Sequence, residues 1–226
     1  MTTGITGWRG FIGYHLTGRI DNPVLFQGDM LDLGAVKQFV GQCDRIYHLA
    51  GKNRAEDGQI LANNLVSTGN LVLATKLLGI HPEIVFASSS KAESDPNSEY
   101  GMTKMVEESI IRKASKWCIF RIPNVYGPRC KPFYNSVVAT FCWQLANREP
   151  CTTRHPYATR EFVYIDDLVE ALVEPVLHRV VGVSGEVMSV KDVYEYLTTR
   201  LGEHEKLKKC LGYYKEAIKN VPTTRE

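Results

Sequence analysis

Short apolar runs alternate with longer stretches of helical spacing from the first residues to about position 128. The run ending at Ile5 precedes a glycine turn and a helix-compatible segment over 11–16, and residues 23–27 then read as a strand that stops at Gly28-Asp29. The pattern continues as helix over 33–42, strand over 45–49, helix over 60–78 and strand over 84–87. A polar turn over 91–98, a helix from 99 to near 116 and a strand over 117–121 follow. Apolar residues three and four apart mark the helices, and short apolar runs bounded by turn formers mark the strands. Alternating β and α segments predict an α/β fold, a Rossmann-like doubly wound parallel sheet covered on both faces. Only one strand fits between Gly13 and Asp29, so the second β-α unit usual in such sheets is missing or fused.

The alternation lapses over 129–160, where an amphipathic helix over 136–146 and a turn around His155-Pro156 are predicted. Residues 160–167 read as a further strand, followed by a helix to about 178. Ser189 then N-caps a last helix, with Asp192 in the reciprocal position. The tail from Lys206 is basic and helical and reads as a solvated face. The expected organisation is a dinucleotide-binding domain over 1–128, completed by about 160–182, and a small substrate-binding region from 129–159 and 183–226.

The 226 residues are 44% hydrophobic and 23% charged, with a formal net charge of +2, an ordinary globular balance. No Lys/Arg run offers a footprint for nucleic acid or a membrane surface, and no apolar stretch is long enough to span a bilayer. The six cysteines lack Cys-x-x-Cys spacing and scatter through apolar segments. They read as reduced structural thiols rather than a disulfide frame or metal site. Met1 leads directly into the first expected strand, so no signal peptide is expected. The expectation is a cytoplasmic protein with no metal, nucleic-acid or membrane partner.

Gly7, Gly10 and Gly13 recur every third residue between the first strand and the first helix. In a dinucleotide loop the first glycine turns the chain and the second lets backbone approach a pyrophosphate. The third packs helix on sheet, and the helix N-terminus faces the phosphates. An ordinary glycine-rich turn has the same spacing. Asp29 lies 22 residues beyond Gly7, near the distance at which an acid meets the adenosine ribose; the position equally suits an N-cap for the helix near Leu33. Arg9, inside the turn, is placed for an adenosine 2′-phosphate, which a carboxylate at Asp29 would repel. The strand over 45–49 delivers Ala50-Gly51-Lys52-Asn53-Arg54, and the strand over 84–87 delivers Ser88-Ser89-Ser90, to the carboxyl edge where open α/β sheets bind ligands. Tyr100 and Lys104 are four apart at the start of a helix and share a face. An ammonium beside a phenol favours proton exchange near neutral pH, and Ser90 can hold a substrate oxygen against that phenol. A Ser/Tyr/Lys set beside a nicotinamide is equipment for moving a hydride to or from a carbinol carbon.

Thr6-Gly7-x-x-Gly10-x-x-Gly13, His48-Leu49-Ala50-Gly51, Asn64 with Asn70, Ser88-Ser89-Ser90 and Tyr100-x-x-x-Lys104 occur in that order. Arg121-x-x-Asn124-Val125-Tyr126-Gly127-Pro128 and Arg160-Glu161-Phe162-Val163-Tyr164-Ile165-Asp166-Asp167 follow. Over about residues 1–190 the chain thereby resembles the extended short-chain dehydrogenase/reductase family. Two runs, His48 through Arg54 and Lys131-Pro132-Phe133-Tyr134-Asn135-Ser136-Val137-Val138-Ala139-Thr140-Phe141-Cys142, resemble more narrowly the reductase domain of bacterial capsule enzymes. Those enzymes act on UDP-2-acetamido-2,6-dideoxy-4-ketohexoses. The resemblance implies Ser90, Tyr100 and Lys104 as catalytic residues. It implies cofactor contacts from Gly7, Arg9, Gly10, Phe11, Ile12, Gly13, Asp29, Leu49, Ala50, Gly51, Tyr100, Lys104 and Pro123, the cofactor being NADPH with NADH as the alternative. It implies a UDP-sugar met by Lys52, Asn53 and Ser90 near the sugar and by Asn124 and Arg160 near the diphosphate. It also implies a homodimer built on the helices that carry Asn70 and Tyr100.

The expected function is an NADPH-dependent C4-ketoreductase of a UDP-2-acetamido-2,6-dideoxy-L-4-hexulose, serving polysaccharide biosynthesis and giving UDP-N-acetyl-L-rhamnosamine. The alternatives are a nucleotide-sugar 4-epimerase of the UDP-galactose type and a non-catalytic NAD(P)-binding sensor or scaffold. The last would be expected to lose Tyr100 or Lys104, and both are present. Lys91-Ala92 follow Ser90 where family 4,6-dehydratases carry Asp-Glu. The epimerising Cys and His of GDP-fucose synthase would fall near Ala92 and at Arg129. No counterpart of the capsule enzyme's C-terminal cupin is expected, and the short substrate region is expected to be trimmed or completed by a dimer partner.

Overall fold

A computed structural model describes residues 1–53 and 59–219; Arg54, last residue of the His48 motif, lies outside them. In chain order the elements are β1 (Thr3–Thr6), α1 (Phe11–Thr17), β2 (Val24–Leu25), α2 (Leu33–Val40), β3 (Arg45–His48), α3 (Gln59–Leu78) and β4 (Glu83–Ser89). Then come α4 (Lys91–Ser94), α5 (Glu99–Ile111), β5 (Lys116–Ile122), β6 (Asn124–Tyr126), α6 (Val137–Ala146), β7 (Thr159–Tyr164) and α7 (Ile165–Val173). Last are β8 (Arg179–Gly182), β9 (Glu186–Ser189), α8 (Val190–Thr198) and α9 (Glu205–Lys219). No helix among the described residues is long and apolar enough to cross a membrane.

Two compact units divide the chain. The first comprises Met1–Ile122 and Val169–Val183. Its sheet has the order β2-β1-β3-β4-β5-β8 and is parallel throughout. A parallel sheet is covered on both faces, and adjacent positions of its central strands are accordingly buried: Ile46 and Tyr47, Ile84, Val85 and Phe86, Ile119 and Phe120. The main apolar cluster joins Phe26, Val36, Phe39, Ile46, Leu71, Ile84, Phe86, Ile111 and Ile119. The expected gap in the winding is present, since the two-residue β2 is all that lies between α1 and α2.

Several sequence expectations are corrected at element ends. The helix expected to run to 116 stops at Ile111, because Lys113 and Ala114 turn back to the carbonyls of Ile110 and Ile111. Lys116 is thereby freed to pair with Glu83 in β5. The strand expected over 160–167 ends at Tyr164; Ile165, Asp166 and Asp167 start α7, whose acidic first turn suits a helix N-terminus. That helix ends at Val173 rather than near 178, because Pro175 disfavours helical backbone at Glu174. Of the stretch 160–182 expected to complete the first domain, β8 joins the first sheet, whereas β7 pairs elsewhere.

The second unit comprises Pro123–Leu168 and the chain from Ser184 onward. In it β7 pairs parallel with β6 and antiparallel with β9. A capping box starts α8, where the Asp192 amide donates to Ser189 Oγ at 3.0 Å and the Ser189 amide donates to Asp192 Oδ2 at 2.8 Å. The basic tail is more than a solvated face. Leu207, Cys210, Leu211 and Tyr214 of α9 are buried, and the Tyr214 hydroxyl donates to the Cys130 carbonyl. All six cysteines are free thiols, five of them buried. Burial pushes the Cys43 and Cys130 thiols up to about 11, so neither is a nucleophile near neutral pH.

In the first unit Glu108 of α5 ties two strands together. Its carboxylate accepts from Ser88 Oγ at 2.7 Å and from Arg121 Nε, Arg121 Nη2 and Arg112 Nη2 at 3.0 Å each. Burial alone would raise its pKa, but the hydrogen bonds from Arg121 and Ser88 outweigh it and hold the group below the ordinary 4.5. A folded pKa below the unfolded one adds stability that is complete above the unfolded value and is lost as pH falls through the folded one. Glu108→Gln is therefore expected to cost about 3 kcal/mol in urea unfolding at pH 7. The difference from wild type should shrink below about pH 4.5, and a gap that stays constant to pH 3 would contradict this account.

Candidate active site

The chain leaves β1 toward β2 and then crosses to β3 on the other side. This is the point in an open α/β sheet at which a crevice opens beyond the carboxyl ends of the strands. Gly7 and Gly10 line it on the β1 side, and Leu49, Ala50, Gly51 and Lys52 on the β3 side. Gly7 has φ +69°, and a Cβ there would stand 2.6 Å from the Ala50 nitrogen. A Cβ on Gly13 would stand 2.3 Å from the Gly7 carbonyl, so α1 packs on the turn only because position 13 is bare. The result is a cavity of about 480 Å³, completed by Asp29, Met30, Leu31, Asn63 and Asn64.

Other predicted contacts fall around this cavity in different ways. Asp29 lines it, with Oδ1 accepting from the Leu31 amide at 2.9 Å. The N-cap of α2 is Asp32, which accepts from the Gly34 and Ala35 amides, so the N-cap role open to Asp29 is filled three residues later. Arg9 stacks on Trp8, 4.2 Å from the ring centroid, and donates to Gln27 Oε1 at 3.0 Å. Arg9, Phe11, Ile12 and Gly13 are outside the lining set, as is half-buried Asn53. Two asparagines known from the sequence only as motif members brace the walls. Asn64 holds both backbone groups of Lys52, at 3.0 and 2.8 Å. Asn70 donates to the Met30 and Leu31 carbonyls, at 2.9 and 3.1 Å.

The three serines at the end of β4 are not equivalent. Ser88 donates to Glu108, and Ser89 Oγ accepts from the Lys91 amide at 3.2 Å. The Ser90 hydroxyl, half-buried, has no hydrogen-bond partner among the described residues, and neither has the Tyr100 hydroxyl. Ser98 N-caps α5 by accepting from the Gly101 amide at 3.2 Å, which starts the helix just before Tyr100.

Lys104 is only 5% exposed. Its Nζ donates to the Ala87 carbonyl at 3.3 Å, lies 4.7 Å from the Phe86 ring centroid and 5.9 Å from that of Tyr100. A Cβ on Gly51 would be 3.8 Å from the same nitrogen, so the ammonium reaches the cavity wall. Nζ also lies 3.0 Å from Glu107 Oε2, a contact that is ionic rather than a well-directed hydrogen bond. Glu107 Oε1 accepts from Thr68 Oγ1 at 2.8 Å, and Thr68 Oγ1 lies 3.1 Å from His48 Nε2. His48 Nδ1 lies 2.9 Å from Thr6 Oγ1, which accepts from the Ala50 amide at 3.2 Å. Burial, with the Lys104 charge added, pushes the His48 imidazole down to about 3, so it is neutral. Glu107 and Thr68 were not site candidates from the sequence. The signal for Glu107 was its place three residues after Lys104 on one helix face; nothing local marks Thr68.

Pro123, Asn124 and Arg160 belong to the second unit. Pro123 is buried, Asn124 donates to the Glu161 carbonyl at 3.0 Å, and exposed Arg160 lies opposite Met188 in the β7–β9 pair.

Known proteins resemble this chain in sequence and in fold. The chain is 33% identical over 180 residues to the UDP-2-acetamido-2,6-beta-L-arabino-hexul-4-ose reductase of Pseudomonas aeruginosa, a match covering 75% of this chain and 48% of that protein. It is 26% identical over 224 residues to UDP-glucuronic acid decarboxylase 3 of Arabidopsis thaliana, covering 75% and 64%. The chain thus spans between about half and two thirds of the length of these relatives. The UDP-glucose 4-epimerase of Thermotoga maritima, solved with UDP-glucose, superposes with a TM-score of 0.82 at 19% identity, covering 96% of this chain and all of that one. The capsular polysaccharide assembling protein CapF of Staphylococcus aureus does so with a TM-score of 0.69 at 25% identity, covering 95% and 65%. Residues 4–190 match the NAD dependent epimerase/dehydratase family, and with the glycine turn, the switch-point cavity and the Tyr100/Lys104 helix in place, this chain belongs to that family, the extended short-chain dehydrogenases/reductases.

Proposed function

We propose that the chain is an NADPH-dependent C4-ketoreductase of a UDP-2-acetamido-2,6-dideoxy-L-4-hexulose, forming UDP-N-acetyl-L-rhamnosamine for glycan assembly. The observation that carries the reading is the Lys104 ammonium, between Gly51 of the cavity wall and the Tyr100 ring, with the Tyr100 and Ser90 hydroxyls uncommitted. The likeness to the P. aeruginosa reductase supports the substrate class. The turn in which backbone packs tightly on Gly7 and Gly13, at the start of α1, suits a dinucleotide pyrophosphate, and the adjoining cavity of about 480 Å³ suits such a ligand. Gly7, Gly10, Ala50 and Gly51 would hold its backbone-facing parts, Asp29 and Arg9 its adenosine end, and Lys104 the nicotinamide ribose. When bound, the nicotinamide supplies the hydride that reduces C4.

Tyr100 gives its hydroxyl proton to the C4 oxygen as the carbonyl becomes an alkoxide, and Ser90 donates a hydrogen bond to the same oxygen. The Lys104 ammonium stabilises the phenolate left on Tyr100. Lys52 and Asn53 serve the sugar, and Asn124 and Arg160 the diphosphate. No base is assigned to C3 or C5, so both leave with the configuration they brought.

The reaction run in D₂O with protiated NADPH and followed by NMR should consume one NADPH per product. The product should have the L-rhamno configuration, with no deuterium at C3 beyond spontaneous exchange. Tyr100→Phe should lower kcat on the order of 10²-fold or more with little change in cofactor affinity. Inversion at C4 without net NADPH consumption would instead identify an epimerase.

A second expectation concerns the cofactor. The ratio of kcat/KM for NADPH over NADH should exceed one and fall toward one in Arg9→Ala, because the guanidinium is assigned to the 2′-phosphate. A preference for NADH that Arg9→Ala leaves alone would defeat that assignment.

A homodimer is the proposed assembly. Packed helices α3 and α5 expose Val66, Leu73 and Leu77, and Met102, Met105 and Val106, and exposed apolar side chains on paired helices favour association. Light scattering should give twice the 25.5 kDa chain mass, and Leu73→Glu with Met105→Glu should give the monomer. A wild-type chain monomeric at micromolar concentration would end the proposal.

A further inference from the structure

Between the cavity wall and Lys104 runs a line of polar groups with no access to water. Thr6, His48, Thr68 and Glu107 are each 0% exposed. Buried polar groups of this kind must satisfy one another, and their proton inventory permits one arrangement. A threonine hydroxyl has a single proton to donate. That of Thr68 goes to the Glu107 carboxylate, so Thr68 Oγ1 accepts at its His48 contact and His48 Nε2 carries hydrogen. Neutral His48 has only one N–H, so Nδ1 is an acceptor and takes the Thr6 hydroxyl proton. Thr6 Oγ1 in turn accepts from the Ala50 amide. Every bond points the same way, from the cavity wall at Ala50 to the carboxylate beside Lys104.

We propose that Glu107 is the positioning residue of the site: it holds the Lys104 side chain in place, and through Thr68, His48 and Thr6 it ties that side chain to the Ala50 wall of the cofactor cavity. The proposal rests on the reading that Lys104 serves Tyr100 and the cofactor. Glu107 supplies what the Ala87 carbonyl and the Phe86 face cannot, a full negative charge 3.0 Å from Nζ. The neighbouring Glu108 does not substitute for it, because its oxygens are taken by Ser88, Arg112 and Arg121. Among the described residues the titratable groups around Lys104 are Tyr100 and Glu107 from its own helix and His48 from β3. The contribution of α3 is uncharged Thr68, and that of β4 is the Phe86 ring and the Ala87 carbonyl.

A carboxylate favours the protonated form of the groups beside it, so its removal moves their loss of protons to lower pH. In Glu107→Gln, the alkaline limb of NADPH binding, followed by fluorescence titration over pH 6–10, should therefore lie roughly one pH unit or more below that of wild type. The alkaline limb of kcat should move with it while KM for the keto sugar stays put, and Glu107→Asp should return both limbs toward wild type. Limbs that coincide in wild type and Glu107→Gln would overturn the proposal. If Glu107→Gln does not fold, ¹⁵N NMR of the wild-type chain decides: His48 should be neutral with its proton on Nε2 from pH 5 to 8. A proton on Nδ1, or an imidazolium, would overturn the assignment equally. The binding arm needs no sugar. A chain whose NADPH titration shifts as expected, but which reduces no keto sugar, refutes the proposed reaction and leaves the role of Glu107 standing.

Discussion

Helix α5 lays Lys104, Glu107 and Glu108 against the sheet with 5%, 0% and 1% of each exposed. Ionised groups taken out of water cost several kcal/mol each unless they are paired and hydrogen-bonded, so the surroundings of this one helix face are tightly prescribed. Glu108 is met by two arginines and Ser88, which fastens α5 to β4 and β5. Lys104 and Glu107 meet each other, and the remaining carboxylate oxygen is met by a threonine that a histidine orients. With Ser88 spent on Glu108 and Ser89 on the turn that follows, Ser90 is left with its hydroxyl free. The chemistry available at the strand end is thus a residue of how the helix charges were satisfied.

The second constraint is steric and lies at β1. Backbone from two strands and a helix converges on Gly7 and Gly13, where added carbons would stand 2.6 and 2.3 Å from backbone atoms. Close approach of this kind opens the crevice and delivers Ala50 and Gly51 to its opposite wall. The shortened winding after α1 matters here too. With only β2 between α1 and α2, the turn carrying Asp29, Met30 and Leu31 comes directly to the cavity, and Asn70 of α3 pins it there. Asparagines at 64 and 70 therefore act as braces for two separate walls from a single helix.

What the sequence determined by itself was whatever depends on neighbours within a turn or two. The four-residue spacing of Tyr100 and Lys104, the three-residue spacing of the glycines, the reciprocal cap of Ser189 and Asp192 and the alternation of strand and helix are local. Each follows from helix period, φ freedom or capping geometry, and each is present as expected. Family motifs reached further, because residues recognised together in order need not be recognised by packing; of the residues so gathered, Gly7, Gly10, Asp29, Leu49, Ala50, Gly51 and Lys52 line the cavity.

Tertiary structure alone decided which polar group answers which. Thr6 and His48 are 42 residues apart, His48 and Thr68 are 20, and Thr68 and Glu107 are 39, so no window of sequence contains the line they form. The same holds for strands too short to show a period, such as β6 and β8, whose existence depends on an edge to pair with. It holds for α9, whose lysines suggested a solvated helix while its apolar stripe found a core. Periodicity is written along the chain and survives in the sequence. The satisfaction of a buried charge is a demand made by desolvation, and it exists only once distant segments have closed around the group.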